Sequence, residues 1–346
     1  MIKRVKIEDF LTIHRNENIP IIDVRSPIEY NAGHIPSAYN VYLFNDDERA
    51  NVGTTYKKEG RENAILLGLD YVGRRMSDIL RQVDEISKKH NNTKKVLIHC
   101  FRGGDRSGSI SWLLSVYKYD VYVLDGGYKS YRKYVLGLFE KNYKINIVTG
   151  RTGSSKTFIL QKMKELNIKN NKVINLENLA NHKGSAFGWI NEDKQPTQEQ
   201  FENNLALELE SIDNINDKLW LEDESLLIGK IAIPKALFNN MKNPENIIYI
   251  EKSIEDRANH ITDTYGKYNK DDLKESILKI KKRLGDERTR LAIKLLEENR
   301  VYDSVLEILY YYDKAYKLSV DNNKIIKLEC TNKNTKTIVD MILSIF

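Results

Sequence analysis

The residues His99-Cys100-Phe101-Arg102-Gly103-Gly104-Asp105-Arg106-Ser107 place a cysteine directly after the apolar run Val96-Leu97-Ile98 and ahead of glycines and arginines. Backbone N–H groups, guanidinium groups and the start of a following helix surround such a sulfur with positive charge, which favours thiolate over thiol. The pattern predicts a nucleophilic Cys100 in an anion loop built from Arg102, Gly103, Gly104, Arg106 and Ser107. The helix reads from Ser107 to Tyr117, with Ser107 as its cap. The same cradle suits a phosphate, a sulfur-bearing anion or a selenium-bearing anion. A buried packing cysteine needs neither the glycines nor the arginines. Cys330 lacks such surroundings and reads as a packing residue in a strand.

A second cradle lies at Gly150-Arg151-Thr152-Gly153-Ser154-Ser155-Lys156-Thr157, between a strand at Lys144–Val148 and a helix from Phe158. In the P-loop pattern G-x-x-x-x-G-K-[ST], backbone N–H groups wrap a phosphate, the lysine neutralises charge and the hydroxyl residue can hold Mg²⁺. Ser155 stands where the second glycine is usual, which argues against fast nucleotide hydrolysis but leaves phosphate binding in place. Leu219-Trp220-Leu221-Glu222-Asp223-Glu224 reads as a strand ending in carboxylates, where Asp223 and Glu224 could hold a metal through water. His182 and Lys183, in a polar loop, are candidates for contact with a substrate phosphate or base. Lys282, Arg283, Arg288 and Arg290 belong to a basic stripe, interrupted by Asp286 and Glu287, that could touch RNA. No His/Cys/Asp cluster has metal-ligand spacing, so no structural zinc is expected.

The elements that must position these groups alternate. Strands are expected at Ile19–Arg25, Tyr39–Tyr42, Val96–His99 and Val121–Leu124, with a helix over Tyr71–Lys89. This is the pattern of a parallel α/β sheet, whose active groups sit beyond the carboxyl ends of strands. Arg25, Cys100 and Asp125 all fall at such ends. A second α/β unit begins near residue 144, with strands at Lys172–Leu176, Leu219–Leu221 and Asn246–Ile250 before a largely helical last hundred residues. A chain of 346 residues accommodates both units as domains, drawn here as 1–138 and 139–346. The net charge of +6 permits RNA as a partner without demanding it. Two cysteines exclude a disulfide scaffold and imply a reducing, cytoplasmic setting. No apolar run reaches the roughly 18 residues of a membrane span, so no membrane association is expected.

Asp23, Arg25, Glu29, Tyr30, Gly33, His34, Ile35 and Ala38 match D-x-R-x-x-x-E-[FY]-x-x-G-H-I-x-x-A, and the first domain thereby resembles the rhodanese family. Asp23 and Arg25 are supporting residues on this reading, and His34 is a hydrogen-bonded turn residue rather than a base. Five residues separate Cys100 from Arg106. Sulfurtransferase rhodaneses resemble C-x4-R, whereas protein tyrosine phosphatases resemble H-C-x5-R-[ST]. The longer loop suits a tetrahedral, phosphate-like guest, and on this loop alone both chemistries stay open.

A rhodanese-like parallel-sheet domain followed by a P-loop NTPase-like α/β domain with a helical C-terminal part resembles the tRNA 2-selenouridine synthase family over nearly the whole chain. Asp46–Thr54, Gly126–Lys129, Leu176–Gly188, Gln195–Gln198, Phe201–Asn203, Glu222–Ser225 and Tyr310–Asp313 carry the likeness. The resemblance implies a transferase that converts wobble-position 2-thiouridine of tRNA to 2-selenouridine through an S-geranylated intermediate. Geranyl diphosphate and selenophosphate would be its co-substrates, with Mg²⁺ and a nucleotide as further candidates. It implies tRNA, bound through its anticodon region, and a selenophosphate-supplying enzyme as partners, and no DNA. The alternative is a sulfurtransferase or phosphatase regulated by a nucleotide at the P-loop. A tRNA-binding module without chemistry is the third reading.

Overall fold

The computed structural model describes residues 1–213, 215–316 and 325–346. They form two compact units, Met1–Leu138 with Glu202–Leu207, and Phe139–Phe201 with Glu208–Phe346. In the first unit, β1 (Ile2–Val5), β2 (Ile21–Asp23), β3 (Tyr39–Asn40), β4 (Lys95–His99) and β5 (Asp120–Leu124) make one parallel sheet in the order β1-β5-β4-β2-β3. The central strand β4 is buried from Val96 to His99, as a parallel sheet requires of its middle. Its side chains pack with Ile22, Val24, Val121 and Val123, with Ile79 and Val83 of the helix Met76–Lys89, and with Ile110 and Leu114 of the helix Asp105–Val116.

Several elements are shorter than the residue pattern suggests. β2 starts after Pro20, which has no N–H to donate, and ends before Ser26 opens a short helix with a capping box to Glu29. The expected helix over Tyr71–Lys89 is broken by a 3₁₀ turn at Gly73–Arg75, where glycine has weak helix propensity. Ahead of it stand two helices that periodicity did not reveal, Asp46–Glu59 and Arg61–Val72. The first is held by a capping box in which Asn45 accepts from the Glu48 N–H and Glu48 accepts from the Asn45 N–H, both at 2.9 Å.

In the second unit β6 (Lys144–Thr149), β7 (Asn171–Val173), β8 (Lys218–Glu222), β11 (Asn246–Glu251) and β12 (Ile325–Glu329) form a parallel sheet in the order β12-β11-β6-β8-β7; β9 (Leu227–Ile228) and β10 (Ile231–Ala232) form a small hairpin. β7 stops short of the expected Leu176, because Asn175 accepts from the Asn178 N–H and caps a helix over Leu176–Ala180. Beyond β11 come the helices Ile254–Tyr265, Lys270–Leu284, Asp286–Glu297, Val301–Ala315 and Thr335–Leu343. Cys330, just after β12, is buried in the core with Val148, Ile159 and Trp220. No described helix is long and apolar enough to cross a membrane.

Candidate functional site

Cys100 follows the last residue of β4 and is 3% exposed. Its loop is pinned from behind by the residues after β5: the Tyr128 N–H donates to Cys100 O at 2.8 Å and the Lys129 N–H to Phe101 O at 3.0 Å. The backbones approach so closely that a Cβ on Gly127 would stand 2.5 Å from both Cys100 O and Gly103 N. With φ at +59°, Gly127 also occupies the left-handed region that favours glycine. The following helix starts at Asp105 with Gly104 before it, so Ser107 does not cap it as expected. The Ser107 hydroxyl is turned inward instead, 3.3 Å from Cys100 Sγ and 3.0 Å from Gly104 O. Burial pushes the thiol pKa up. Hydrogen bonds from the Ser107 side chain and backbone and from the Arg102 backbone, with the charge of Arg106, outweigh burial and hold it below the ordinary thiol value.

The two loop arginines differ in role. The side chain of Arg106 pairs with Glu29, Nη1 to Oε2 at 2.6 Å, so it acts on the sulfur through its field. Arg102 is exposed and its guanidinium lies 5.9 Å from the Phe101 ring. Asp23 and Arg25 form a buried pair, Arg25 Nη2 to Asp23 Oδ2 at 2.6 Å, and Arg25 lies 3.7 Å from the Tyr128 ring centre while donating to Gly33 O at 2.7 Å. They brace the scaffold beneath the loop. His34 stacks on Tyr30 at 3.9 Å and bonds to its carbonyl through Nδ1 at 3.0 Å, the turn role expected of it. Asn203 belongs to this unit as well and donates to Tyr128 Oη at 2.8 Å.

The P-loop follows β6. Gly150, Gly153 and Ser155 have φ values of 152°, 86° and 66°. Ser155 thus takes the left-handed turn a glycine usually makes, at a strain of about 1 kcal/mol, and its hydroxyl accepts from Lys252 Nζ at 3.2 Å. The helix opens at Lys156, two residues earlier than expected. Lys156 Nζ donates to Gly150 O at 3.2 Å and stands 3.8 Å from Glu222. The Thr157 hydroxyl lies 3.1 Å from Glu177 and 3.1 Å from the nearer Glu222 oxygen. Ser154 is buried and its hydroxyl has no hydrogen-bond partner among the described residues. Arg257 clamps the loop from outside, donating to Thr152 O at 3.2 Å and making a bidentate pair with Asp313 at 2.8 and 2.7 Å. Arg151 stands 3.9 Å from the same Asp313.

Glu177, Glu222 and Glu224 each offer a carboxylate oxygen, all within 4.8 Å of one another. Glu224 is among the residues expected to hold a metal through water; Glu222 lies two residues before it, and Glu177, distant in sequence, joins them only in the fold, so ligand spacing could not reveal the full set. The only signals were the acidic end of β8 and the polar stretch around Glu177. Hard oxygen donors of this kind, beside the Thr157 hydroxyl, fit Mg²⁺. Burial and the charge of Glu222 push Glu177 up to about 8. Burial also raises Glu222, and burial with the charges of Glu222 and Glu177 raises Glu224. Burial pulls Lys156 down, but the three carboxylates outweigh that and raise it. Asp223 turns elsewhere and accepts from the Thr149 hydroxyl at 2.8 Å.

The loop of His182 and Lys183 lies over these carboxylates. Gly184 permits the approach, since a Cβ there would meet Glu224 at 3.0 Å and Glu177 at 3.1 Å. His182 Nδ1 is buried without a partner among the described residues, whereas Lys183 is engaged by Glu192 at 2.8 Å. The basic stripe is not one face. Gly285, at φ 92°, separates the helix bearing Lys282 and Arg283 from that bearing Arg288 and Arg290. Arg288 pairs with Glu307 at 2.5 Å and Arg283 donates to Tyr311 at 3.3 Å, while Lys282 and Arg290 are exposed.

Comparison with known proteins agrees with this division. The family model of the tRNA 2-selenouridine synthase AAA domain matches residues 143–344, and that of the rhodanese-like domain matches residues 7–134. A tRNA 2-selenouridine synthase of Sulfurovum sp. (strain NBC37-1) is 33% identical over 91% of this chain and 92% of that protein. Those of Nitrosomonas europaea and Shewanella denitrificans are 36% and 39% identical over 74% and 71% of this chain. The chain spans 66% and 65% of the lengths of these two, just under two thirds. With a thiol cradle in one matched unit, a P-loop in the other and a relative aligned almost end to end, the chain belongs to the tRNA 2-selenouridine synthase family.

Proposed function

We propose that the protein is a transferase that replaces the sulfur of a wobble-position 2-thiouridine in tRNA with selenium, in two steps. First, the thiocarbonyl sulfur attacks the geranyl carbon of geranyl diphosphate; a C–S bond forms, the C–O bond breaks, and diphosphate and a proton leave. Next, selenium from selenophosphate bonds to C2, the geranyl thiolate departs and takes a proton, and water cleaves the Se–P bond to release phosphate. The observation that carries this reading is the thiolate-stabilising cradle of Cys100 in a chain that also holds a formed P-loop.

On this reading the Cys100 loop receives selenophosphate, with its backbone amides and Arg102 meeting the negative charge. Lys156 and the P-loop backbone hold the diphosphate of the prenyl donor. Glu177, Glu222, Glu224 and Thr157 would hold Mg²⁺ there, which when bound screens the diphosphate charge. The setting is the cytoplasm, with a selenophosphate-supplying enzyme as the source of the donor. The test is mass-spectrometric nucleoside analysis of thiolated tRNA incubated with the protein. Geranyl diphosphate alone should yield S-geranyl-2-thiouridine, and added selenophosphate should yield 2-selenouridine. Cys100→Ser should block only the second product, and normal selenation by this variant would remove the cysteine from the mechanism. Turnover of thiosulfate or an aryl phosphate without tRNA would favour the sulfurtransferase or phosphatase reading. Affinity for tRNA with no altered nucleoside would leave a binding module.

A further inference from the structure

A groove of about 660 Å³ runs along the first unit beside the Cys100 loop, between the helix Arg61–Val72 and the helix Asp105–Val116. Its volume lies within the roughly 300–1,000 Å³ of small-ligand pockets. Ile65, Leu69 and Trp112 line it and are 42%, 54% and 59% exposed, a concentration of bare apolar surface that a folded chain ordinarily covers. Its floor includes Leu43, Phe44, Val72 and Ile110, which belong to the same hydrophobic cluster as Cys100. The groove is therefore continuous with the packing around the thiol.

The charged groups of the lining and the Ser109 hydroxyl, which donates to Asp105 O at 2.9 Å, are already engaged, which leaves only the single O–H of Tyr56 and the single N–H of Trp112. Arg61 pairs with Asp105 at 3.2 Å, and Arg106 pairs with Glu29 at 2.6 Å. What remains offers burial and dispersion but little hydrogen bonding. A base, a sugar or a peptide backbone laid there would leave polar groups unpaired, whereas a hydrocarbon chain would not. We propose that this groove seats the geranyl chain of the S-geranylated nucleoside while C2 is presented to the Cys100 loop. The proposal rests on the two-step function above and adds the place and chemistry of the substrate's apolar part. It also divides the labour between the units, with the diphosphate of the prenyl donor held at the P-loop and the prenyl tail of the intermediate held beside the cysteine.

The test is isothermal titration of the full chain with S-geranyl-2-thiouridine, with 2-thiouridine as the control. The geranylated nucleoside should bind at least about tenfold tighter, since each buried CH₂ contributes roughly 0.8 kcal/mol. Leu69→Asp and Ile65→Asp, at half-exposed helix positions, should each abolish that advantage, and Leu69→Met should keep it. Equal affinity for the two nucleosides, or an unchanged advantage in both Asp variants, overturns the proposal. So does a change in sedimentation mass on Leu69→Asp with nucleoside binding intact, which would assign the groove to a second copy of the chain. Binding is read without turnover. A wild-type chain that prefers the geranylated nucleoside yet never geranylates or selenates tRNA therefore sinks the proposed function and leaves the groove assignment standing.

Discussion

At Cys100 the decisive group is Ser107. Its hydroxyl points at the sulfur, and its backbone adds a second hydrogen bond to the thiolate form. Ser107→Ala keeps the helix, because alanine is the better helix former, and removes one donor. Alkylation of Cys100 by iodoacetamide at neutral pH is expected to slow severalfold, with the pH–rate curve displaced upward. A curve that does not move would show that Ser107 is irrelevant to the thiolate. The carboxylate trio makes the second prediction at this scale. Glu177 has a folded pKa of about 8 against an ordinary value of 4.5, so the folded state binds more protons than the unfolded state between those pH values. Stability must then fall as pH rises from about 5 to 8. Glu177→Gln should flatten that fall, and millimolar Mg²⁺ should reverse it by binding the ionised form. Thermal unfolding at the two ends of the range measures both, and an Mg²⁺-insensitive melting temperature at pH 8 would count against a cation among these residues.

The P-loop depends on an element distant in sequence. The helix Ile254–Tyr265 carries Arg257 and the helix Val301–Ala315 carries Asp313, and together they hold Thr152 O. Asp313→Ala leaves a buried guanidinium without its counter-ion. The expected loss is near the lower end of the about 3–5 kcal/mol for breaking a buried pair, since Asp313 retains some solvent. Urea unfolding reads this loss. If the P-loop holds diphosphate as proposed, the stabilisation expected from added diphosphate should shrink with it, because the loop backbone is no longer held in place. Full diphosphate stabilisation in a destabilised Asp313→Ala protein would separate the clamp from the cradle. Element boundaries also explain what sequence reading missed here. The helices at Asp46–Glu59 and Arg61–Val72 have no buried stripe wide enough to register as periodicity: the first buries no residue completely, and the second buries only Ala64, Gly68 and Val72. One side of the apolar groove was invisible for that reason.

At the scale of the whole molecule, the proposed tRNA substrate would meet a chain with a net charge of +6. Lys282 and Arg290 are exposed, while Arg288 is paired with Glu307. If the first two touch phosphates, the double variant Lys282→Ala/Arg290→Ala should lower the magnitude of the log K against log salt slope by about 1.5–2, and Arg288→Ala should change it least. Equal slopes for all three proteins would place tRNA on another face. The amino-acid sequence by itself determined the cysteine loop, the P-loop, the parallel α/β character of both units and the family, because each is written in contiguous residues: a strand, a glycine turn and a helix start. Tertiary structure alone decided the rest. It brought Glu177 beside Glu222 and Glu224, turned Ser107 inward to the sulfur, paired Arg106 with Glu29, split the basic stripe at Gly285 and opened a groove beside Cys100. These are relations between side chains on different elements. No local pattern encodes them, because burial and charge pairing are set by where the chain returns to meet itself.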